Sequence, residues 1–404
     1  MKKIIFFASV FYTLSITAQN NFILPDSLSQ IFMNSKGGSA SGSIPQKFMN
    51  KFIFPGFITN ELKDAASDKL KNFDYFGASV SGSFNLLLSE KKDSSRTTNI
   101  FGFGLGSEYQ VNTSFSRDLF NLTFFGNQPF HNQTLDLNNT DFNSVIYSYV
   151  EFSLGKSIEK NNLKTSIWMD LGFLTGHRFT DINLGKGSLF TEDNGDYLEL
   201  TLSESSIALS DTVNKSLVQG LGAKLDLFYS RQNSNSILLI SAENIGGIFW
   251  QNTLSTSIDT IFNFEGIQVG NIFELSDSVL SEVETFDSII PTLTKNLFKP
   301  VPIEFSGYYR KNLNLIYFDF LARYKLFSNY KPYARAGLNF DLPVFKPGAT
   351  IAFGGYSGLQ IGLNTDIELI EMLKIQIGTN NLLGAIIPSS ATSFDGYFGI
   401  RFTF

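Results

Sequence analysis

The sequence has no cysteine and only two histidines, His131 and His177. The absence of cysteine excludes disulfides, thiolate metal sites, a cysteine nucleophile and lipid attachment through cysteine. Both histidines fall in or beside long predicted loops, and no nucleophile stands at a recognisable spacing from either. Phosphate-binding glycine loops and metal-spaced histidine clusters are also missing. We therefore expect no catalytic residues, no metal, no cofactor and no enzyme activity.

Long apolar runs are equally scarce. Residues 4–16 are mostly apolar, follow Lys2 and Lys3, and are followed by Ala18. This pattern is typical of a cleaved export signal, which we place at residues 1–18. The run is too short to cross a bilayer as a helix, and no later segment holds about 18 uninterrupted apolar residues. The pattern predicts an exported chain without a transmembrane helix.

Aromatic residues and glycine are abundant. The chain has 42 Phe, 15 Tyr and 33 Gly, while its mean hydropathy is near zero and its net charge is −6. The acidic balance argues against a nucleic-acid partner. Membrane barrels combine aromatic girdles with near-zero mean hydropathy, because they alternate apolar and polar positions one for one. Composition therefore favours such a barrel over two soluble domains.

Short segments of alternating apolar and polar residues recur along the chain. In residues 101–106, for example, every second residue is apolar and the others are glycine. Period-2 alternation over about ten residues is the signature of membrane strands, whereas a soluble sandwich would show shorter strands and some continuous apolar runs. Thirteen segments fit the pattern, at about 76–88, 101–108, 146–154, 166–173, 221–229, 238–243, 301–311, 314–325, 331–342, 348–355, 357–367, 372–380 and 394–404.

The segment 394–404 shows the clearest alternation. Its apolar face comprises Phe394, Phe398, Ile400, Phe402 and Phe404, and its other face Asp395, Tyr397, Gly399, Arg401 and Thr403. Bacterial outer-membrane barrels commonly end on such a strand. The resemblance implies that the barrel-assembly machinery reads it as a membrane-insertion signal, carried by Tyr397, Phe398, Ile400, Phe402 and Phe404. The alternative is the edge strand of a soluble, secreted all-β protein.

Connection lengths predict the strand number. The long joins at 113–143, 176–217 and 248–300 all follow strands that run toward the outside in this count, so all three lie at the same end. The short joins are polar. An even strand number then requires one earlier strand, for which Lys47 to Phe57 is the candidate, followed by an outside excursion at Asn60 to Leu70. We therefore predict about 14 strands, with 12 or 16 as alternatives. The barrel would cover residues 47–404, and residues 19–46 would form an N-terminal segment that could plug the lumen.

Charged residues of both signs occupy the predicted inward positions. Such residues either form ion pairs that close the interior or line a hydrated pore. The candidates for ligand binding are Glu108, Glu151, Asp170, Lys224, Asp226, Arg310, Asp319, Arg323, Arg335 and Arg401. Six further charges share these positions: Glu243, Glu304, Lys325, Asp341, Asp366 and Lys374.

Two of the long joins are acidic. Residues 181–211 and 259–287 together hold 14 of the 37 acidic residues. Such loops are either solvated surface or a docking site for cations or a basic partner. Within the first, Glu192 to Asp196 offers oxygen ligands but lacks the spacing of a calcium loop. Its Asn-Gly pair between alternating segments predicts a hairpin turn instead.

Three blocks of sequence resemble a known family. Leu122 to Phe130 with Gln133 to Leu137, Gly354 to Leu363, and Gly378 to Gly384 are similar to recurring blocks of uncharacterised outer-membrane barrel proteins. The family is a domain of unknown function from Gram-negative bacteria that use type IX secretion. The resemblance implies a barrel over most of the mature chain, similar in architecture to long-chain fatty-acid transporter barrels. It implies no established activity.

Together these patterns predict an all-β transmembrane antiparallel barrel in the cell outer membrane, with long external loops. Its expected partners are outer-membrane lipid and the barrel-assembly machinery. One functional hypothesis is a channel or transporter for small or hydrophobic solutes. The alternative is a non-conducting binding or scaffold barrel that docks a surface or secreted protein through its acidic loops.

Overall fold

The computed structural model describes residues 29–404, apart from residue 55 and the segments 92–95, 194–196, 211–215 and 266–292. The predicted export signal and residues 19–28 therefore lie outside the described residues. The strands of the described chain are β1 (Gln30–Ser41), β2 (Phe73–Lys91), β3 (Thr97–Ser116), β4 (Gln133–Asp136), β5 (Thr140–Lys160), β6 (Leu163–Thr191), β7 (Tyr197–Leu209), β8 (Gly220–Gln232), β9 (Ser236–Glu265), β10 (Leu293–Pro300), β11 (Glu304–Leu313), β12 (Ile316–Lys325), β13 (Lys331–Phe340), β14 (Phe345–Gly355), β15 (Ser357–Ile370), β16 (Leu373–Thr379) and β17 (Ser393–Thr403). The helices are α1 (Gln46–Ile53), α2 (Asn60–Ser67), α3 (Arg117–Phe125) and α4 (Leu383–Ile386), with a 3₁₀ turn at Gln128–Phe130.

Fourteen of the strands form a closed antiparallel barrel. Each wall strand pairs with the next, and β1 closes the ring by pairing with both β2 and β17. The other three, β4, β7 and β10, pair with β6 and β9 where those long strands extend beyond the wall. The predicted fold class and the predicted count of 14 strands are both confirmed.

Alternation places apolar side chains on the outer face of the wall. Phe101, Phe103 and Leu105 of β3 are exposed, while Gly104 between them is buried. The same pattern runs around the barrel, for example at Phe318 and Phe320 of β12. An exposed apolar band of this extent is incompatible with water and matches the lipid-facing surface of a membrane barrel. No helix among the described residues has the length and apolarity needed to cross a bilayer.

The two ends of the barrel differ. At one end, called here the turn end, adjacent strands are joined by short turns such as 161–162, 233–235 and 314–315. Asn161 and Asn162 have φ values of 53° and 60°, a left-handed conformation that asparagine tolerates and that tight hairpins require. At the other end, the loop end, lie the first three helices and the extensions of β6 and β9. All three predicted long joins do lie at one end.

The first strand is not where the alternation predicted. Residues 47–53 of the candidate strand lie in α1, and Gln30–Ser41, assigned to the plug, forms β1. Phe48 is compatible with either structure, but in α1 its ring packs 5.4 Å from Phe120 and 5.0 Å from Phe124 of α3. Pro45 at the start favours the helix, since proline suits a helix start and lacks the N–H a wall strand needs. The barrel therefore begins at Gln30 rather than at residue 47.

The loop end is more ordered than loops alone would be. Helix α2 lies inside the predicted excursion and, with α1 and α3, covers an apolar cluster that includes Ile44, Met49 and Ala66. The predicted loop 176–217 is mostly a hairpin of β6 and β7, whose ladder runs from Thr180 to Thr191. On either side of the turn predicted at 192–196, Thr191 pairs with Leu198 and the N–H of Glu192 donates to the carbonyl of Tyr197 over 3.0 Å. The Asn-Gly pair of that prediction lies outside the described residues.

Candidate functional site: the lumen

All ten predicted ligand candidates lie on the inward face of wall strands and within the lumen. The structure gathers seven of them, with further inward charges, into three polar clusters at successive positions around the wall. Whether any of them binds a ligand is a separate question from their position. The clusters are named below by their central residue.

The Lys224 cluster joins β5 and β8. Lys224 Nζ lies 2.8 Å from Glu151 Oε2 and 2.7 Å from Asp226 Oδ2, and it sits 4.3 Å above the ring of Tyr149. Asp170 interacts electrostatically with both carboxylates. Only 6% of the Lys224 side chain is exposed. A buried cation between two carboxylates satisfies the charges that the wall strands point inward.

The Glu304 cluster joins β11 and β12. Glu304 forms ion pairs with Arg323, whose Nε lies 2.8 Å from Oε1, and with Lys325, whose Nζ lies 3.2 Å from Oε2. On the next strand, Glu243 accepts a hydrogen bond of 2.6 Å from Ser241. One carboxylate therefore holds two cations, both of which line a cavity described below.

The Asp319 cluster joins β12 and β13 nearer the turn end. Asp319 accepts from Arg335 Nη2 over 2.8 Å and from Asn339 Nδ2 over 2.7 Å. The Nε and Nη1 atoms of Arg335 are buried and have no hydrogen-bond partner among the described residues. Arg335 thus keeps donor capacity that its carboxylate does not use.

The three remaining candidates, Glu108, Arg310 and Arg401, lie outside these clusters. Glu108 accepts 2.6 Å and 2.7 Å hydrogen bonds from Tyr147 and Gln110. Arg310 lies 3.7 Å from the ring centre of Tyr317, a cation–π contact. Arg401 and Arg310 both interact electrostatically with Asp366.

These clusters fill much of the barrel cross-section. The side chains of Lys224, Asp226, Glu304, Asp319 and Arg335 are each at least nine-tenths buried. A water-filled pore would leave such side chains exposed, as in large porins. At the level of these ion pairs the lumen is therefore packed, and passage through it requires side chains to move.

A cavity of about 170 Å³ lies beside the packed region. Its lining includes the cationic side chains of Lys36, Arg323, Lys325 and Arg335. Its aromatic lining comprises Tyr330, Tyr333, Tyr356 and Tyr397, and Asp395 is its one lining carboxylate. Asp395 is held by Asn380 and Thr379, and the carboxylates that pair with the cations lie outside the lining. We call this the cationic cavity.

A second cavity of about 260 Å³ opens toward the loop end. Its lining combines apolar side chains, including Phe179, Ile248 and Trp250, with Asp141, Asp181 and Lys299. Asp181 and Lys299 form an ion pair, which ties β6 to the end of β10. We call this the outer cavity. Asn112 lines both cavities, so they adjoin one another along the lumen.

Sequence reasoning missed the N-terminal side of this site. Lys36 belongs to β1, which the alternation did not detect because Gln30–Ser41 holds few apolar residues. The lining residues Tyr330, Tyr333 and Tyr356 were not singled out either, although tyrosine at inward positions of alternating strands is a recognisable sequence signal. Tyr397, proposed as part of the insertion signal, is buried inside the lumen, whereas Phe402 and Phe404 of that set are exposed.

Inward glycines make room for the clusters. A Cβ on Gly104 would lie 2.7 Å from Glu151 Oε1, and one on Gly106 would lie 2.5 Å from the Tyr149 ring. Outside the lumen, His131 Nδ1 lies 3.2 Å from the backbone carbonyl oxygen of Gln128. Within the described part of the chain, no group of three or more His, Cys, Asp or Glu side chains is placed to hold a metal ion.

The β6–β7 extension carries its own charges. Lys186 and Glu204 form an exposed ion pair there, and the hydrogen bond that Lys186 donates to Glu204 raises the pKa of Lys186. The neighbouring phenol of Tyr197 donates to Glu199 over 2.6 Å, and this bond raises the pKa of Tyr197. Both contacts leave carboxylates at the surface of the extension.

Comparison with known proteins agrees on the family. A family model described as a family of unknown function, DUF5723, matches residues 10–373. The chain belongs to this family. No curated protein matches. The predicted membership in an uncharacterised barrel family is thereby confirmed, without its link to type IX secretion.

Solved structures with a similar course of the chain are bacterial barrels. A deletion mutant of the monoaromatic hydrocarbon channel TodX aligns at 8% identity and TM-score 0.47, over 94% of this chain and 91% of that one. The Pseudomonas putida toluene transporter TodX aligns at 9% identity and TM-score 0.43, over 94% and 88%. The transport unit of the Escherichia coli autotransporter AIDA-I aligns at 9% identity and TM-score 0.32, over 99% and 97%.

Proposed function

We propose that this barrel lies in the outer membrane and passes a small, partly apolar, anionic solute through a gated lumen. The observation that carries the proposal is the pair of adjoining cavities, one walled by Phe179, Ile248 and Trp250 and the other by four cations. Rings of Arg and Lys select anions in pores, while apolar walls favour an apolar portion of the solute. The packed ion pairs supply the gate.

Orientation follows from the two ends. Outer-membrane barrels place short turns in the periplasm and long connections outside. The loop end, with the outer cavity, would then face the exterior. A solute would enter past Trp250 and next meet the cationic cavity.

Lys36 is the residue that tests this proposal most cleanly. Among the described residues it forms no ion pair within 4 Å, although it interacts electrostatically with Glu108, Glu243 and Glu304. Its replacement therefore leaves no directly paired carboxylate behind, whereas replacing Arg335 would orphan Asp319.

The experiment is solute uptake into proteoliposomes with three probes of one shape: benzoate, benzamide and benzylammonium. We expect benzoate to enter fastest, and Lys36→Met to reduce its advantage over benzamide about tenfold, the equivalent of ~1.4 kcal/mol. Lys186→Met, in the exposed extension, is the matched control. Entry of none of the probes above empty liposomes would exclude passage, and equal entry of all three would exclude anion selection.

The extension supports a second candidate, a docking barrel. Strands β6, β7 and β9 form a paired sheet above the wall, and its acidic side chains Glu199 and Glu204 lie at the surface. The second predicted acidic segment lies largely outside the described residues. A surface or secreted partner, including cargo of type IX secretion, would then recognise this sheet. Crosslinking in cells that recovers the same proteins with Glu199→Gln/Glu204→Gln as with the unchanged chain would remove its support.

A further inference from the structure

Ser148 and His177 occupy the outer face of the wall near the loop end. On β5, Val150, Phe152 and Leu154 are exposed outward at alternate positions, and Ser148 continues that series. Tyr147, which precedes Ser148, points inward and is fully buried. Ser148 therefore faces the surroundings of the barrel rather than its lumen.

A β-bulge brings His177 to this serine. Ile146 pairs with Arg178 and Tyr147 pairs with Gly176, so His177 is the extra residue between two paired positions. A bulge of this kind re-aims a side chain, and such bulges recur beside active sites. As a result His177 Nε2 lies 2.8 Å from Ser148 Oγ. The contact joins two residues on adjacent strands, which is why spacing along the sequence does not reveal it.

A third group fixes the state of the histidine. His177 Nδ1 lies 2.8 Å from the carbonyl oxygen of Leu217. A carbonyl only accepts, so Nδ1 carries the proton and Nε2 is left to accept from the serine hydroxyl. This is the tautomer that a general base needs, with the carbonyl in the orienting position that a carboxylate fills in a full triad.

We propose that Ser148 and His177 form a serine esterase site on the membrane face of the barrel, with Ser148 as nucleophile and His177 as base. Its substrate would be the acyl ester of a membrane lipid. The inference rests on the membrane location proposed above but not on solute passage.

The surroundings of Ser148 identify the substrate class. Toward the turn end lie Val150 and Phe173, which are 40% and 67% exposed on the apolar band. In the cross-strand positions lie the hydroxyls of Ser107 and Thr175. The dyad thus sits where an apolar surface gives way to a polar one. A lipid presents its ester bonds at that same boundary, with acyl chains on one side and polar groups on the other.

The chemistry balances with water as the second substrate. Ser148 Oγ attacks the ester carbonyl carbon and its proton passes to His177 Nε2. The alcohol leaves with that proton, and the acyl group remains bonded to Ser148. Water then attacks the acyl-serine, His177 takes its proton, and Ser148 regains a proton as the carboxylic acid departs. The exposed guanidinium of Arg178, the residue after His177, is available to the oxyanion or to an anionic headgroup.

The test uses the full-length barrel in vesicles of phosphatidylethanolamine and phosphatidylglycerol that contain a fluorescent acyl chain, together with a fluorophosphonate label and soluble p-nitrophenyl esters. We expect acyl release and labelling at Ser148. Ser148→Ala should abolish both, and His177→Gln should lower both by about 10²–10⁴-fold.

His131→Gln is the matched control for His177→Gln, because it replaces the other histidine of the chain, which lies away from this site, and should leave both signals unchanged. Heat-modifiable gel mobility reports that each variant is folded. The proposal would be overturned if the folded barrel with unchanged sequence took up no label and hydrolysed none of the esters faster than Ser148→Ala does. Since uptake of benzoate does not involve this face, failure of either proposal leaves the other distinguishable.

Discussion

At the scale of single residues, the lumen depends on buried charges that balance one another. Lys224 is the clearest case, because its single charge pairs with two carboxylates, Glu151 of β5 and Asp226 of β8. Taking charges out of water costs several kcal/mol per ion unless each is paired. The inward glycines serve the same end, since Gly104 and Gly106 leave the space that Glu151 and Tyr149 occupy.

Replacing Lys224 should therefore destabilise the barrel strongly. Lys224→Met leaves Glu151 and Asp226 buried and unpaired, and we expect a loss of about 3–5 kcal/mol in the free energy of unfolding. Denaturant titration of the barrel in vesicles measures it. Lys186→Met, which removes the exposed partner of Glu204, should leave the unfolding midpoint unchanged. Equal effects of the two substitutions would refute this account of the lumen.

At the scale of elements, the closing strand pair is the feature that alternation alone did not locate. The ladder between β1 and β17 pairs Ser35 with Phe398 and Lys36 with Tyr397. Strand β1 is rich in glycine, serine and other polar residues, so its pairing on both sides, rather than its own hydrophobicity, makes it a strand. The candidate segment 47–57 had the stronger apolar pattern, but its residues 47–53 lie in the helix α1.

Disulfide trapping tests this seam in a chain that has no cysteine of its own. Ser35→Cys with Phe398→Cys should crosslink on mild oxidation, because paired residues of adjacent strands lie within reach of a disulfide. Phe52→Cys with Phe398→Cys represents the rejected seam and should not crosslink. The bond shows as a shift in unfolded gel mobility. A crosslink in the second pair without one in the first would restore the segment 47–57 as the closing strand.

A strand was predictable from the sequence where one of its faces meets hydrocarbon and the other meets the polar lumen. Wall strands such as β12 and β15 alternate clearly because one side meets hydrocarbon and the other the lumen. Where β6 and β9 leave the wall, both faces meet protein or water, the period-2 signal fades, and the extension was interpreted as loop. The inward position of the charged residues was predictable from the alternation alone, because every second residue of a wall strand faces the lumen. Their partners were not, because pairs such as Glu151 with Lys224 depend on the register between strands distant in sequence.

At the scale of the whole molecule, an ion pair in the lining of the outer cavity ties β6 to the end of β10. Asp181 and Lys299 form this ion pair, and the following Pro300, Val301 and Pro302 line the cavity. On the proposed path, a solute passes through this cavity before it reaches the cationic cavity. We therefore expect the strength of this ion pair to control access.

Asp181→Asn weakens this tie without changing side-chain shape. We expect single-channel conductance in planar bilayers to rise several-fold, or brief openings to become frequent, because Lys299 loses its partner and the segment is released. Glu204→Gln breaks the exposed ion pair of the extension and should leave the conductance as it is. A conductance of Asp181→Asn equal to that of the unchanged chain would show that the gate lies elsewhere.

The pairing of β1 with β17 also has a kinetic consequence. These strands stand at opposite ends of the barrel sequence, so their contact closes the longest loop in the fold, and the entropy cost of closure rises with loop length. Until β17 arrives, β1 and the growing sheet carry unpaired edges, which are prone to pair with other chains. The last step of folding should thus be the sealing of a nearly complete sheet. In a refolding time course, the Ser35–Phe398 crosslink should become possible only after crosslinks between neighbouring strands have formed, and its earlier appearance would reverse this order.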